Sequence, residues 1–562
     1  MHPLLNLAVK FPPEAYSYGK RSSGETHGVV LTKSHIVDLI LDLAGYTGDK
    51  DLSTMRLLEP SCGTGAFLVP AVRRLLKSAR RHHRKPSQLG DCISAFDIDA
   101  VHVEATRKAV EAALNEGGIG NGAAKSLAEK WVRQDDFLLT SLEAASFDAI
   151  VGNPPYIRIE QLSPEIQQEY RRRYESLYDR ADIYVAFIER SLSLLKPTAI
   201  LSFICADRWT LNRYGAPLRR LIADNFNVKA YIDLHEASPF ESEVIAYPSI
   251  FAISPGRMQS VPVAKLSHAT AEECSLIVAA LGEPGKKGSP FTLYPSWFSG
   301  DEPWVLSPPE HLKALRDLEA QFPALEADGQ TRVRIGVATG SDAAYIVGSD
   351  TDIEKDRLVP LLMRADIVNG QIKNGHRFVI NTFDADGRVI RLSDYPRLRR
   401  HLETYGLDIK RRHVAQKNPD SWFRTIDRVY PELVPVPKLL IPDIAGSNEV
   451  ALDDGKYHPH HNLYFVTSDS WDMAVLGGLL SSKVALFFIW SYATKMRGSY
   501  LRFQAQYLRR IRVPNPAGLT PKLKEDIRQA FAARDFQRLD ALALRAYKLK
   551  SLPDFDFVDT RK

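Results

Sequence analysis

The chain has 562 residues, 44% of them hydrophobic and 25% charged, with a net charge of +5. That length predicts two or three domains, and that apolar share predicts packed cores and excludes wholesale disorder. No apolar run approaches the roughly 18 residues needed to cross a bilayer, and so small a net charge cannot by itself argue for nucleic acid.

Met1 to Val9 lacks a basic stretch leading into a long apolar segment, which predicts no signal peptide, no membrane partner and a cytoplasmic chain. Cys62, Cys92, Cys205 and Cys274 are scattered without C-x-x-C spacing, as in a reducing cytosol, and predict no metal site. Met55 to Glu59 reads as a short buried strand. It enters Pro60-Ser61-Cys62-Gly63-Thr64-Gly65-Ala66-Phe67-Leu68, then a helix ending among Arg73, Arg74 and Lys77. Glycines at 63 and 65 allow a sharp turn and close approach to a ligand where a strand meets a helix. Ile93 to Asp99 reads as a second strand ending in acids, where a doubly wound sheet presents a carboxylate to a ribose diol. Trp131 to Leu139 sets Asp135, Asp136 and Phe137 at a third strand end. Leu68 stands where a dinucleotide fingerprint needs its third glycine, so a nucleoside cofactor without a pyrophosphate fits better, S-adenosylmethionine being one.

Phe147 to Gly152 is an apolar run that delivers Asn153-Pro154-Pro155-Tyr156. Two prolines after an asparagine fix the backbone and hold one amide, one free carbonyl and one ring in fixed relation. That is a holder for a planar molecule with an exocyclic amino group. No cysteine stands beside the loop to attack a ring carbon, which argues against cytosine-C5 chemistry. Asp182 to Leu195 has helical periodicity and precedes a strand at Ala199 to Cys205. Val228 to Asp233 and Tyr247 to Ile253 read as two more strands, with Pro239-Phe240-Glu241 between them.

From residue 256 the strand–helix alternation fades into an α+β texture with interleaved basic and aromatic blocks. These are Arg397 to His401, Lys410 to His413, Lys495 to Arg497, Arg502-Phe503 and Arg509 to Arg512. Such a face suits phosphate contacts. Thr520-Pro521 opens a helical stretch running to Lys550. Pro442-Asp443 followed by Glu449-Val450-Ala451 lacks the lysine of a nuclease site, so cleavage would need a separate protein.

Over residues 24 to 255 the order of motifs resembles the gamma-class, Taq-type adenine-N6 DNA methyltransferases of restriction–modification systems. Gly28 to Lys33 is similar to that family's N-terminal motif, with Val30 and Lys33 in place of the usual Tyr and Pro. The resemblance implies an α/β fold: a doubly wound Rossmann-like methyltransferase domain over 1–255, and a C-terminal α+β target-recognition domain over 256–562. Gly336 to Tyr345 and Gly498 to Phe503 are similar to segments of such recognition regions. Thr32, Glu59, Ser61 and Gly63 are implied around the methionine moiety of S-adenosyl-L-methionine, Asp97 on the ribose, Asp136 on the adenine amino group and Phe137 on its ring. Asn153, Pro154, Tyr156 and Phe240 are the implied catalytic residues, acting on a flipped adenine in double-stranded DNA. A bacterial or archaeal cytosol and a separate cognate endonuclease are the expected context; one large reader can address an asymmetric site, so a monomer is expected, with a dimer left open. RNA adenines and protein glutamines also present an amino group on a planar π-system and stand as alternative acceptors, as does a silent DNA-binding subunit.

Overall fold

The computed structural model describes residues 11, 30–242, 247–295, 297–373, 375–445, 449–493 and 501–555. Gly28, Val29, Lys495 to Arg497 and Gly498 to Tyr500 lie outside the described residues. The chain divides into two compact units, Met1–Val305 and Leu306–Lys562.

The first unit is built on a nine-stranded sheet: β1 (Leu57–Glu59), β2 (Ile93–Asp97), β3 (Val132–Gln134), β4 (Phe147–Gly152), β5 (Leu195–Ala206), β6 (Phe226–Asp233), β7 (Pro248–Pro255), β8 (Val261–Lys265) and β9 (Thr292–Tyr294), in the spatial order 3-2-1-4-5-7-6-8-9. Strands 3-2-1-4-5 are mutually parallel, with Leu57 between Ile93 and Ala149, while β7 runs antiparallel to both its neighbours, β5 and β6. Strands β1, β2 and β4 are buried along nearly their whole length. That is why they read as continuous apolar runs and not as alternating ones: helices cover both faces of a parallel sheet. Each of β1, β2, β3 and β4 ends at the same edge of the sheet, which collects the loops carrying Gly63, Asp97, Asp136 and Asn153.

Three elements differ from their expected bounds. The helix after the glycine turn is Leu68–Arg81, because Ser78 and Ala79 continue its buried stripe past Lys77. Trp131 ends the helix Asn121–Trp131 and does not start β3; its indole N–H donates to the Leu89 carbonyl at 3.2 Å. The 255/256 boundary falls between two strands of one sheet, since β8 pairs in parallel with β6 through Tyr231 and Val263. Five-residue β8 is too short to carry a period in the sequence, and Pro255-Gly256 before it reads as an end. The first unit closes at Val305, whose carbonyl accepts the Trp297 indole N–H at 2.7 Å within a cluster of Trp209, Tyr231, Trp297 and Trp304.

The second unit is α+β. One antiparallel sheet joins Thr331–Ile335, Leu463–Ser468, Lys438–Pro442 and Ala451–Asp453, and a second joins Ile346–Gly348, Arg377–Ile380, Leu358–Leu362 and His458–Pro459. The C-terminal helical stretch is two helices, Pro521–Ala533 and Phe536–Ala546, broken where Arg534 turns left-handed at φ 57°. Among the described residues no single helix is long and apolar enough to cross a membrane.

Candidate active site

A cleft opens at the carboxyl edge of β1, β2 and β4. Thr32, Ser61, Gly63, Asp97, Asp136, Phe137 and Asn153 all line it. Glu59, Pro154, Tyr156 and Phe240 are not on its wall and sit in the packed shell around it.

The turn after β1 is held from both sides. Gly63 and Gly65 take positive φ, 51° and 91°, a region that costs little only for glycine. The Gly63 N–H donates to Asp97 Oδ2 at 2.9 Å, and the Gly63 carbonyl accepts from Thr106 Oγ1 at 2.7 Å. Asp97 therefore braces the glycine turn, while its Oδ1 accepts the Asp99 N–H at 2.9 Å and stands 3.5 Å from His102 Nδ1. That contact with Asp97 lifts the His102 imidazole above its ordinary value. Glu59, at the end of β1, is 1% exposed and its Oε2 has no hydrogen-bond partner among the described residues. Burial, reinforced by the charge of Asp97, pushes its carboxyl well above the ordinary carboxylate range.

Asp136 and Phe137 follow β3. Asp136 Oδ1 accepts the Leu138 N–H at 2.8 Å and its Oδ2 accepts the Tyr170 hydroxyl at 2.8 Å. Phe137 sits between Phe96 and Phe187, at centroid distances of 6.0 and 5.3 Å. Tyr170, Phe187 and His102 also line the cleft and were not singled out in the sequence. Phe187 lies in the stretch Asp182 to Leu195 that reads as a plain helix, and Tyr170 lies on the helix Pro164–Arg173, which the sequence reading did not reach.

Asn153 directly follows β4, with its amide nitrogen donating to the Val30 carbonyl at 3.1 Å and to Thr32 Oγ1 at 3.4 Å. Its Oδ1 is buried with no partner among the described residues. Thr32 pairs backbone to backbone with Phe240; Lys33 N–H donates to the Pro239 carbonyl at 3.0 Å and Glu241 N–H to the Leu31 carbonyl at 2.9 Å. One short bridge thus ties the N-terminal segment, the proline loop and the β6–β7 loop together. The Tyr156 ring meets Tyr184 edge-on at 6.1 Å, its hydroxyl has no partner among the described residues, and burial drives its phenol well up. Phe240 is buried at 6% exposure in the apolar cluster against which Tyr156 packs.

The two orphaned oxygens suit bound molecules that bring N–H groups. A buried acceptor without a donor costs about 1–3 kcal/mol, and Glu59 Oε2 and Asn153 Oδ1 offer two such places to ligand N–H groups. A sheet whose strands run parallel save β7, inserted beside β5, and β9 at its edge, with a cleft at the carboxyl ends of its parallel strands, defines an α/β cofactor-binding protein. Residues 82–240 match the Eco57I restriction-modification methylase family and residues 396–513 the TaqI-like C-terminal specificity domain. The chain is 44% identical over 539 residues to the type II methyltransferase M.BstVI of Geobacillus stearothermophilus, covering 93% of this chain and 96% of that protein. It is 44% identical over 532 residues to M.PaeR7I of Pseudomonas aeruginosa, covering 93% and 92%. Among solved structures, the type IIL restriction-modification enzyme MmeI in complex with DNA shares the fold, with a TM-score of 0.62 at 13% identity over 93% of this chain and 74% of that one. The protein belongs to the type II DNA methyltransferases of restriction–modification systems.

Proposed function

We propose that this enzyme methylates N6 of an adenine rotated out of duplex DNA at a specific site. The observation that carries the reading is the buried, unpartnered Oδ1 of Asn153, held by its own amide nitrogen at the mouth of a methyl-donor cleft. Glu59, Ser61, Gly63 and Thr32 would hold the methionine end of the cofactor, Asp97 its ribose, and Asp136 and Phe137 its adenine. When bound, S-adenosyl-L-methionine supplies an electrophilic methyl on a sulfonium, a donor that needs no prior base.

The adenine amino nitrogen is a weak nucleophile because its lone pair is delocalised into the ring. Asn153 Oδ1 and the Pro154 carbonyl would accept its two protons and draw the nitrogen toward a tetrahedral shape, with the lone pair aimed at the methyl. The barrier is then lowered by fixed acceptors and positioning, where one such group contributes about 3–4 kcal/mol. Unstacking the base costs a few kcal/mol. Tyr156 and Phe240 would offset part of this by stacking, at about 1–3 kcal/mol per base. Phe240 reaches a base only by leaving its apolar cluster, so base capture and movement of the β6–β7 loop are one event in this reading. We further propose that the protein acts as a cytoplasmic monomer alongside a separate endonuclease.

The test is product analysis. Plasmid DNA is methylated with labelled S-adenosylmethionine, digested to nucleosides and separated. Label in N6-methyladenine is expected; label in N4-methylcytosine, or in tRNA and not in DNA, refutes the reading.

A further inference from the structure

The second unit carries a side-chain cluster that methyl transfer does not use. Asp342, His460 and His461 each point one ligating atom into a common space, and those atoms lie within 4.8 Å of one another. His460 is 1% exposed; its Nδ1 has no hydrogen-bond partner among the described residues, and its Nε2 faces the Asp342 carboxylate. Burying an imidazole in that state is costly, and buried polar groups almost always have a partner. Its Nε2 stands 3.1 Å from Asp342 Oδ2. Asp342 is itself oriented: Thr339 Oγ1 donates to its Oδ1 at 2.6 Å, which leaves Oδ2 turned toward the histidines.

The backbone beneath is equally fixed. Val337 N–H donates to the Pro459 carbonyl at 2.9 Å, His461 N–H to the Val337 carbonyl at 3.0 Å and His460 N–H to the Leu362 carbonyl at 2.9 Å. A side chain at Gly336 would put its Cβ 2.2 Å from the His460 carbonyl oxygen, so only glycine permits this crossing. The two histidines stand where the chain leaves His458–Pro459 of one sheet and enters Leu463–Ser468 of the other.

We propose that Asp342, His460 and His461 bind a divalent transition-metal ion of the zinc class, fastening the turn after Thr331–Ile335 to the junction of the two sheets. Two imidazoles and one carboxylate suit zinc and its neighbours, whereas magnesium and calcium prefer oxygen donors throughout. Ligands of a tetrahedral ion at about 2.0–2.2 Å stand about 3.3–3.6 Å apart, so the His460–Asp342 pair, at 3.1 Å, needs only a few tenths of an ångström to reach coordinating separation. Rotation of the exposed His461 ring completes the set, and water takes the fourth position. Thr339 then fixes the carboxylate from behind, as outer partners do in metal sites.

The experiment uses the full-length, untagged protein, stripped with chelator, exposed to zinc chloride and desalted. About one retained zinc per chain and a melting temperature raised by zinc are expected. Both should be lost in His461→Ala and in Asp342→Asn, with zinc affinity weakened at least tenfold. These two side chains are exposed, so loss through misfolding is checked by the variants' unchanged zinc-free melting temperature. Zinc retained equally by the variants, no retention by the natural chain, or retention without a shift in melting temperature each overturns the proposal. Cobalt substitution gives a second readout, a ligand-field absorption present in the natural chain and absent in His461→Ala.

Discussion

Asn153 is gripped through its amide nitrogen, by the Val30 carbonyl and Thr32, which fixes the flip state of the side chain and leaves the oxygen facing inward. Asn153→Ala removes that acceptor and should cut single-turnover methyl transfer by about 10²–10³-fold, while DNA affinity by electrophoretic shift stays within a few-fold. Glu59 makes a second prediction, with a sign. Its folded carboxyl holds a proton to higher pH than the unfolded chain does. Below about pH 4.5 the group is neutral in both states and costs nothing; as pH rises past that value the unfolded chain ionises first, so this residue lowers stability progressively. In cofactor-free protein, Glu59→Gln should therefore melt higher than the natural chain from about pH 5 upward, with the two curves converging near pH 4. On the role proposed for Glu59, the same substitution should weaken S-adenosylmethionine binding about tenfold by calorimetry, because glutamine cannot ionise to meet a ligand ammonium.

Elements within a unit are held together by a few buried polar ties. In the second unit the strand Lys438–Pro442 starts on a fully buried ion pair, Lys438 Nζ to Asp453 Oδ2 at 2.9 Å, both at or below 1% side-chain exposure. Lys438 also donates to the carbonyls of Val434 and Tyr457, and burial lowers its ammonium pKa despite the Asp453 partner. Lys438→Met strands a buried carboxylate and should cost about 3–5 kcal/mol in urea unfolding; the double variant Lys438→Met, Asp453→Leu should recover most of it. Some basic blocks that read as phosphate-binding surface have structural employment. Arg412 donates to the carbonyls of Thr339, Trp422 and Arg424, Arg502 pairs with Asp443, and Arg509 with Glu326. Lys410 and Arg411, both exposed, keep the surface character the sequence suggested.

At the scale of the molecule, each unit has its own core and its own chemistry. The stretch similar to the TaqI-like specificity domain, residues 396–513, lies wholly in Leu306–Lys562, and the cleft residues lie wholly in Met1–Val305. Residues 1–305 expressed alone should bind S-adenosylmethionine within a few-fold of the full chain yet lose site-selective methylation of plasmid DNA. Comparable site selectivity in the fragment would show that target reading resides in the catalytic unit.

The residues at the sheet's carboxyl edge were legible because each follows a strand directly, and parallel strands deliver their ends to one edge whatever the helices do between them. Gly63, Asp97, Asp136 and Asn153 meet for that reason. What chain order could not convey was anything decided across the sheet or between distant segments. The pairing of Thr32 with Phe240, the Tyr170 hydroxyl on Asp136 and the approach of Asp342 to His460 join residues far apart in sequence, with no period or spacing to announce them. Charge was misread for the same reason: an arginine's partner is set by what folding brings beside it, and Arg412 has carbonyls there. Local chemistry dictates where strands and turns form, while close packing alone selects which of their side chains touch.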